Sequence, residues 1–293
     1  ANLDNSEFET ALAARGFVVD GSARSSYDTT LPSLASTLNM RYLEENELEF
    51  DPAYPLLYRH VLGFVLTRLG YTYVHVSSAR RETSANYHAG LLVDFAREGV
   101  VTGGDASSAS LGRFLPVFLR TTALRPFLPP YFAPAGSQTP YPWWHPRRTL
   151  ATFDFIGNSA AGATKPVFLF AHILKPHEPN SFDRHGNILP RPYGWSPEDR
   201  ADDLPGFIEQ LLYTNTLVLD AVDAILATSD SPPVIVIQGD HGFGEPDRRA
   251  ILSAYHVPDN CGDSSYAGLT AANSFRVVFN ACFGADLELL ENR

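Results

Sequence analysis

The chain has 293 residues, 44% of them hydrophobic, with a formal net charge of -11 and two cysteines. That length and apolar content supply a real core, for one large α/β domain or two small ones, and exclude a disordered chain. The acidic balance and the lack of any Lys/Arg-rich run leave nothing to neutralise a phosphate backbone, so nucleic acid is excluded as a partner.

In chain order, Ser6 stands three residues before Glu9, a capping-box spacing, and Phe8 and Leu12 are i,i+4 partners ahead of Gly16, so a first helix is expected there. Residues 17–19 (FVV) read as a short strand. After Thr30 the run LPSLASTLNMRYL reads as a second helix with Pro32 in its first turn, where proline is tolerated, and a third helix is expected over 55–69. No stretch reaches the ~18 continuous apolar residues of a membrane span; LLYRHVLGFVLTRLG is broken by Arg59, His60 and Arg68. With no signal peptide in view, the chain as it stands reads as soluble. YTYVHVS at 71–77 alternates and reads as a strand, and VFLFAHI at 167–173 as a buried one. Residues 122–148 gather prolines and aromatics without periodicity, as a surface excursion or lid would; Trp143 and Trp144 beside basic residues suit a membrane interface or a sugar-binding rim, with core packing as the alternative. Residues 180–205 form a second expected loop, followed by a long helix from about 206 to 228.

The stretch VIVIQGDHGFGEP (234–246) carries the first chemical signal. Four β-branched apolar residues read as a strand buried on both faces and ending at Gly239, which puts Asp240 and His241 at its carboxyl end, where open α/β sheets place ligands. A carboxylate beside an imidazole suits Zn²⁺ or Mn²⁺ better than Ca²⁺. Thr30, just ahead of a helix start, has either an N-cap's role or that of a nucleophile helped by the helix dipole. His172, Lys175 and His177 in HILKPHEP follow another expected strand and offer donors to a tetrahedral anion or a leaving group. Arg248, Arg249 and His256 follow the Asp-His pair and are candidates to line the same cleft; His75 follows the strand at 71–77, and its neighbours Arg80 and Arg81 either hold a phosphate or anionic head group or form an ordinary surface pair. Cys261 and Cys282 have neither zinc-ligand nor C-x-x-C spacing, which leaves a disulfide and two buried thiols both open. Strands alternating with helices give the α/β class, and a single domain over 1–293 is expected.

The order T-x-P-S (Thr30 to Ser33), FLFAHILKPHEP and VIVIQGDHGFGE resembles the sulfatase-like branch of the alkaline phosphatase superfamily, in particular the catalytic domains of bacterial membrane-anchored sulfatases, lipoteichoic acid synthases and phosphoethanolamine transferases. The resemblance runs from Asn5 almost to the end. It implies a three-layer α/β/α fold around a mostly parallel sheet, and a metal-dependent hydrolase or transferase using Thr30 as nucleophile for phosphoryl transfer. A threonine cannot become the formylglycine of true sulfatases, so sulfate-ester hydrolysis by that route is disfavoured. By the same resemblance Asp240, His241 and Thr30 hold a divalent ion, Zn²⁺ or Mn²⁺ before Mg²⁺ or Ca²⁺, His177 serves the leaving group, and His172, Lys175 and Arg248 meet the substrate. The implied substrate is a phosphoester or sulfate ester on a lipid or glycan, outside a bacterial cytoplasmic membrane to which the parent protein is anchored. Two departures stand out. Leu34 replaces the family's arginine, and the family's first strand with its acidic metal ligand has no counterpart before Ser6. An inactive interaction domain is therefore the alternative, beside a simple phosphatase or sulfatase-like hydrolase.

Overall fold

The computed structural model describes residues 4–97, 99–103, 145–159, 163–193, 204–243, 247–262 and 266–293. Its elements in chain order are α1 (Ser6–Ala13), β1 (Phe17–Asp20), α2 (Thr30–Asn39), α3 (Phe50–Tyr58), α4 (Val61–Arg68), β2 (Thr72–Val76), β3 (Leu91–Arg97), β4 (Gly99–Gly103), α5 (Pro146–Asn158), β5 (Val167–Ala171), β6 (Asn180–Phe182), β7 (Ile188–Tyr193), α6 (Leu204–Thr228), β8 (Ile235–Gln238), β9 (Ser253–His256) and α7 (Ser274–Phe283). They fall into two compact units, Ala1–Leu69 with Val222–Arg293, and Gly70–Ala221.

In the first unit β9 is the middle strand of three. β1 pairs antiparallel with one edge (Phe17 opposite His256) and β8 antiparallel with the other (Ile235 opposite His256). Tyr255 on β9 is 1% exposed and packs with Tyr266, Leu269, Val277 and Val278, its hydroxyl bonding Ser274 Oγ at 2.8 Å. A disulfide between Cys261 and Cys282 fastens the chain beyond β9 to the end of α7, which resolves the alternative the spacing left open. The residues after α7 have no regular structure but are strapped to it. Asn273 and Asn280 each exchange two hydrogen bonds with the tail backbone, at Leu290 and Leu287.

The second unit holds a four-stranded sheet in the order β4-β3-β2-β5. β2 pairs parallel with both β3 and β5, and β4 closes one edge antiparallel. Val74, Val76, Val93 and Phe95 form its core under Ala151 and Phe155 of α5. The mixed helix and sheet content and the parallel pairings bear out the α/β class.

Several expectations need correction. The first helix is capped from outside: Ser6 is its first residue and its backbone N–H donates to Asp4 Oδ1 (3.0 Å), so the Ser6–Glu9 spacing is not a capping box. Residues 55–69 are not one helix, because α3 ends at Arg59 (φ -127) and His60 starts α4, its Nδ1 accepting from Gly63 N at 2.9 Å. The 180–205 loop contains the β6–β7 hairpin, turned at Asp183–Asn187 by the Asp183 carboxylate and by Gly186 at φ +83. β5 and β8, expected to be fully buried, are half-buried along their length. Each is an edge strand among the described residues, and Val234 is 40% exposed. Most of the 122–148 excursion, with Trp143 and Trp144, lies outside the described residues; its last residues, 145–148, cap and open α5. Among the described residues, α6 is the one helix long and apolar enough to cross a membrane by length and composition. Of its most apolar stretch 22% is buried, and it carries Gln210, Thr214 and Asn215 as buried side chains.

Candidate active site

β8 delivers Asp240 and His241, and α2 delivers Thr30. The N-cap of α2 is Thr29, which makes no side-chain cap, and Thr30 is the first helical residue. Its hydroxyl is therefore not used for capping. Thr30 Oγ1 lies 3.4 Å from His241 Nε2, long for a hydrogen bond but within reach of tightening around a ligand. His241 Nδ1 is 2.9 Å from the Gly242 carbonyl oxygen. Because a carbonyl only accepts, Nδ1 carries a proton, which leaves Nε2, turned towards Thr30, as the acceptor in the neutral form of the ring. Asp240 Oδ2 is 3.6 Å from the same Nε2.

The local sequence explains this geometry. Ser33, one turn along α2 and 1% exposed, donates its hydroxyl to the Asp240 carbonyl at 2.5 Å, which latches the helix to the loop after β8. Thus the serine of the T-x-P-S pattern ties Thr30 to Asp240 and His241, a role that spacing alone did not reveal. The glycines around the Asp-His pair are steric requirements. A Cβ on Gly239 would lie 3.3 Å from the Ile251 side chain, and one on Gly242 would overlap the Ala250 carbonyl. Asp247–Ile251 is in turn clamped to Ala23–Asp28. Arg24 forms a two-pronged pair with Asp247, Ser25 N donates to Arg249 O, Arg249 Nε to Ser25 O, and Ile251 N to Ala23 O. Arg248 joins this clamp through Nε to the Asp28 carbonyl (3.3 Å), two residues before Thr30.

The second unit carries the other expected residues. His177 Nδ1 is 2.6 Å from the Glu178 carbonyl oxygen and 3.4 Å from its carboxylate, so this nitrogen also bears the proton. Lys175 does not point outward to an anion. It is 8% exposed and donates to Pro179 O (2.9 Å) and Ser181 Oγ (3.2 Å), and burial lowers its pKa to about 7. Its role is to hold the loop from inside. Gln210 of α6, invisible to motif reading, is 0% exposed and bonds that loop four times: it accepts from Ser181 N and donates to Pro176 O, His177 O and Asn180 Oδ1. His172 Nδ1 meets Thr83 Oγ1 at 2.8 Å. His75, considered above as an anion ligand, is 2% exposed and bonds Tyr73 and the Thr83 carbonyl, so it is a core residue. Thr30, Asp240, His241 and Arg248 thus belong to one unit, and His172, Lys175 and His177 to the other.

The donor set in the first unit meets part of what a divalent ion requires. A carboxylate, an imidazole nitrogen and a hydroxyl converge, and such facing acceptors suit a cation. A protein zinc site, however, takes at least three protein ligands, and no group of three or more His, Cys, Asp or Glu side chains able to hold a metal occurs among the described residues. The described residues do not make a complete metal site.

Among solved structures, the phosphonate monoester hydrolase of Agrobacterium radiobacter superposes with a TM-score of 0.56 at 11% identity, over 96% of this chain and 69% of that one. The yidJ protein of Bacteroides fragilis, provisionally named a sulfatase, gives 0.53 at 10% identity, over 96% and 70%. Ps i-CgsB, solved with k-i-k-neocarrahexaose, gives 0.54 at 12% identity, over 96% and 67%. The chain shares the fold of these proteins, in agreement with the fold that the sequence motifs led one to expect. At these identities the likeness is one of fold, and the chain spans about two thirds of each of those proteins. No protein-family model matches the sequence, and no curated protein does. Thr30 and the Asp240–His241 pair have the helix-start and strand-end placement that the sequence motifs led one to expect.

Proposed function

We propose that the chain is an ester hydrolase or transferase that moves a phosphoryl group through Thr30. The observation that carries this reading is the approach of Thr30 Oγ1 to Nε2 of His241 at 3.4 Å, on a threonine whose hydroxyl has no capping duty. In the first step the Thr30 Oγ1–phosphorus bond forms, the bond from phosphorus to the leaving oxygen breaks, and the Thr30 proton passes to His241 Nε2. Asp240 faces the imidazolium so formed and stabilises it. In the second step water, or an acceptor alcohol in a transferase, attacks the phosphothreonine, the phosphorus–Oγ1 bond breaks, His241 returns its proton to Thr30 Oγ1, and the proton of the attacking group leaves to solvent. Arg248, held at Asp28 two residues before Thr30, is the assigned counter-charge for the substrate oxygens. The leaving oxygen departs as its anion and takes its proton from solvent.

Asp240 and His241 are the residues that a divalent ion, Zn²⁺ or Mn²⁺, would use, and the described ligands fall short of a full set for it. The substrate class is a phosphoester on a lipid or glycan, a reading supported by a fold shared with a phosphonate monoester hydrolase and with a protein solved with an oligosaccharide. An extracytoplasmic location is part of the reading, and the Cys261–Cys282 disulfide supports it, since such bonds persist in oxidising compartments. Two Thr30 variants test the reading with a para-nitrophenyl phosphate mono- or diester as probe. Thr30→Ala should abolish turnover and Thr30→Ser should keep part of it. Turnover surviving in Thr30→Ala rules out the covalent route. An inactive wild type with either ester favours the alternative of a fold retained as an interaction domain.

A further inference from the structure

Residues 285–293 return along α7, inside the first unit, and are gripped through their backbone. Asn280 Oδ1 accepts from Leu287 N (2.8 Å) while its Nδ2 donates to Leu287 O (2.9 Å), and Asn273, 1% exposed, does the same at Leu290, at 2.8 and 2.9 Å. Between them Arg276 Nη1 donates to Glu288 O at 2.6 Å. Farther on, Tyr42 Oη donates to Glu291 O (2.9 Å) and Arg249 Nη2 to Arg293 O (2.6 Å). The side chains of Asp286, Glu288, Leu289 and Glu291 are exposed.

Helix and segment match in length. Asn273, Arg276 and Asn280 are three and four residues apart and so share one face of α7. From Asn273 to Asn280 the helix rises roughly 10 Å, and Leu287 to Leu290 is roughly 10 Å of extended chain, so a segment running against the helix meets one amide at each end. A side-chain amide offers an acceptor and a donor to the N–H and C=O of one residue, a pairing open to any residue except proline.

The seated segment also reaches the approach to Thr30, by two routes. Arg249, which holds Arg293 O, donates from Nε to Ser25 O at 2.9 Å. Asn292 donates to Gly268 O (2.7 Å) and accepts from Thr270 N (3.3 Å), and the same stretch holds Arg24 from both sides, Arg24 N donating to Leu269 O and Ala271 N to Arg24 O.

We propose that the face of α7 formed by Asn273, Arg276 and Asn280, continued by Tyr42 and Arg249, is a seat for an extended peptide recognised by its backbone, filled here by residues 285–293, and that the seated segment is a strap positioning the stretch that leads to Thr30. The seat stands on these hydrogen bonds. The strap's use in turnover rests on the function proposed above.

A protease site inserted at the exposed Gly284 lets the segment be cut after the full chain has folded. The cut segment should stay bound and be displaced by excess synthetic peptide of residues 285–293. A peptide with alanine at 288, 289 and 291 should compete within about twofold of it, whereas N-methylation at Leu290, which removes the N–H that Asn273 accepts, should cost about tenfold. Loss of the cut segment from a chain that stays folded, or equal competition by the N-methyl peptide, overturns the seat. With the segment washed away, amide exchange at Arg24 and Ser25 should rise and should fall again when peptide is added; unchanged exchange overturns the strap. Should the emptied chain unfold, Asn292→Ala in the intact chain gives the same reading at Arg24, with a rise expected and an unchanged rate overturning the strap. Where a phosphoester is turned over, emptying the seat should lower kcat by about tenfold with KM little changed, and added peptide should restore it; turnover indifferent to the segment overturns that use. Absence of turnover in the intact chain counts against the proposed function and leaves the seat standing.

Discussion

Gly242→Ala is the most revealing small change in the candidate site. Gly242 donates its N–H to Arg248 O at 2.6 Å, and its own carbonyl accepts from His241 Nδ1 at 2.9 Å, so it sits between the clamp of the 247–251 segment and the imidazole. A Cβ at this position would overlap the Ala250 carbonyl and lie 3.2 Å from the carbonyl oxygens of Arg248 and Asp247. None of these is the end of a flexible side chain, so the backbone of one segment must move. Overpacking of this kind costs about 1–3 kcal/mol, which for a chain of this size is a fall in Tm of roughly 2–8 °C. The larger effect should fall on activity. The Thr30–His241 approach is already 3.4 Å, and a shift of a few tenths of an ångström takes it out of proton-transfer range. Thermal unfolding and phosphoester turnover measured on the same preparation test this. Unchanged Tm and unchanged turnover would refute the steric reasoning; a lower Tm with full turnover would refute the role given to His241.

Three further outcomes are expected. Cys282→Ala, or reduction of the wild type, should lower stability by about 3 kcal/mol, because the Cys261–Cys282 bond closes a loop of 21 residues' separation; equal denaturant midpoints with and without reductant would contradict this. Burial holds the folded-state pKa of Lys175 at about 7 against an ordinary value of 10.5, so between these pH values the unfolded chain binds more protons. Its contribution to stability is therefore fully present above about pH 10.5 and is lost as pH falls to about 7. Lys175→Met should flatten that part of a stability-versus-pH curve, and an unchanged slope would argue against the burial. Gln210→Leu leaves the Ser181 N–H and three acceptors without their partner, at a cost of about 3 kcal/mol. It should raise hydrogen exchange at Ser181 well before any effect on the Cys261–Cys282 region of the other unit, and uniform exchange would refute the local role.

What the sequence revealed and what it hid follow a physical pattern. Asp240 and His241 were legible because a β-branched run ending in glycine marks a strand end, and Thr30 because a threonine before a proline in a first turn marks a helix start. Local periodicity carries both signals. The break at His60 was hidden, since α3 and α4 share one apolar pattern and only the His60 cap separates them. The β6–β7 hairpin was hidden by a polar turn that reads as loop, although Asp183 and Gly186 are the residues a tight turn needs. Ser33, Thr83 and Gln210 carry no motif. Each acts through a hydrogen bond to a residue distant in sequence, 207 positions away for Ser33 and Asp240, and such pairs are unreadable without the fold. Lys175 was misread for the same reason: a lysine in a Pro-rich loop suggests an exposed charge, whereas Pro179 and Ser181 turn it inward.

The central claim is that Thr30 becomes phosphorylated during turnover. Rapid acid quench of the wild type with a phosphoester, followed by peptide mass spectrometry, tests it most directly. The account predicts one added phosphoryl group on the peptide containing Thr30, absent in Thr30→Ala and accumulating when water or acceptor attack is slowed. Turnover with no phosphorylated Thr30 peptide at any quench time, or with the label on another residue, would contradict it.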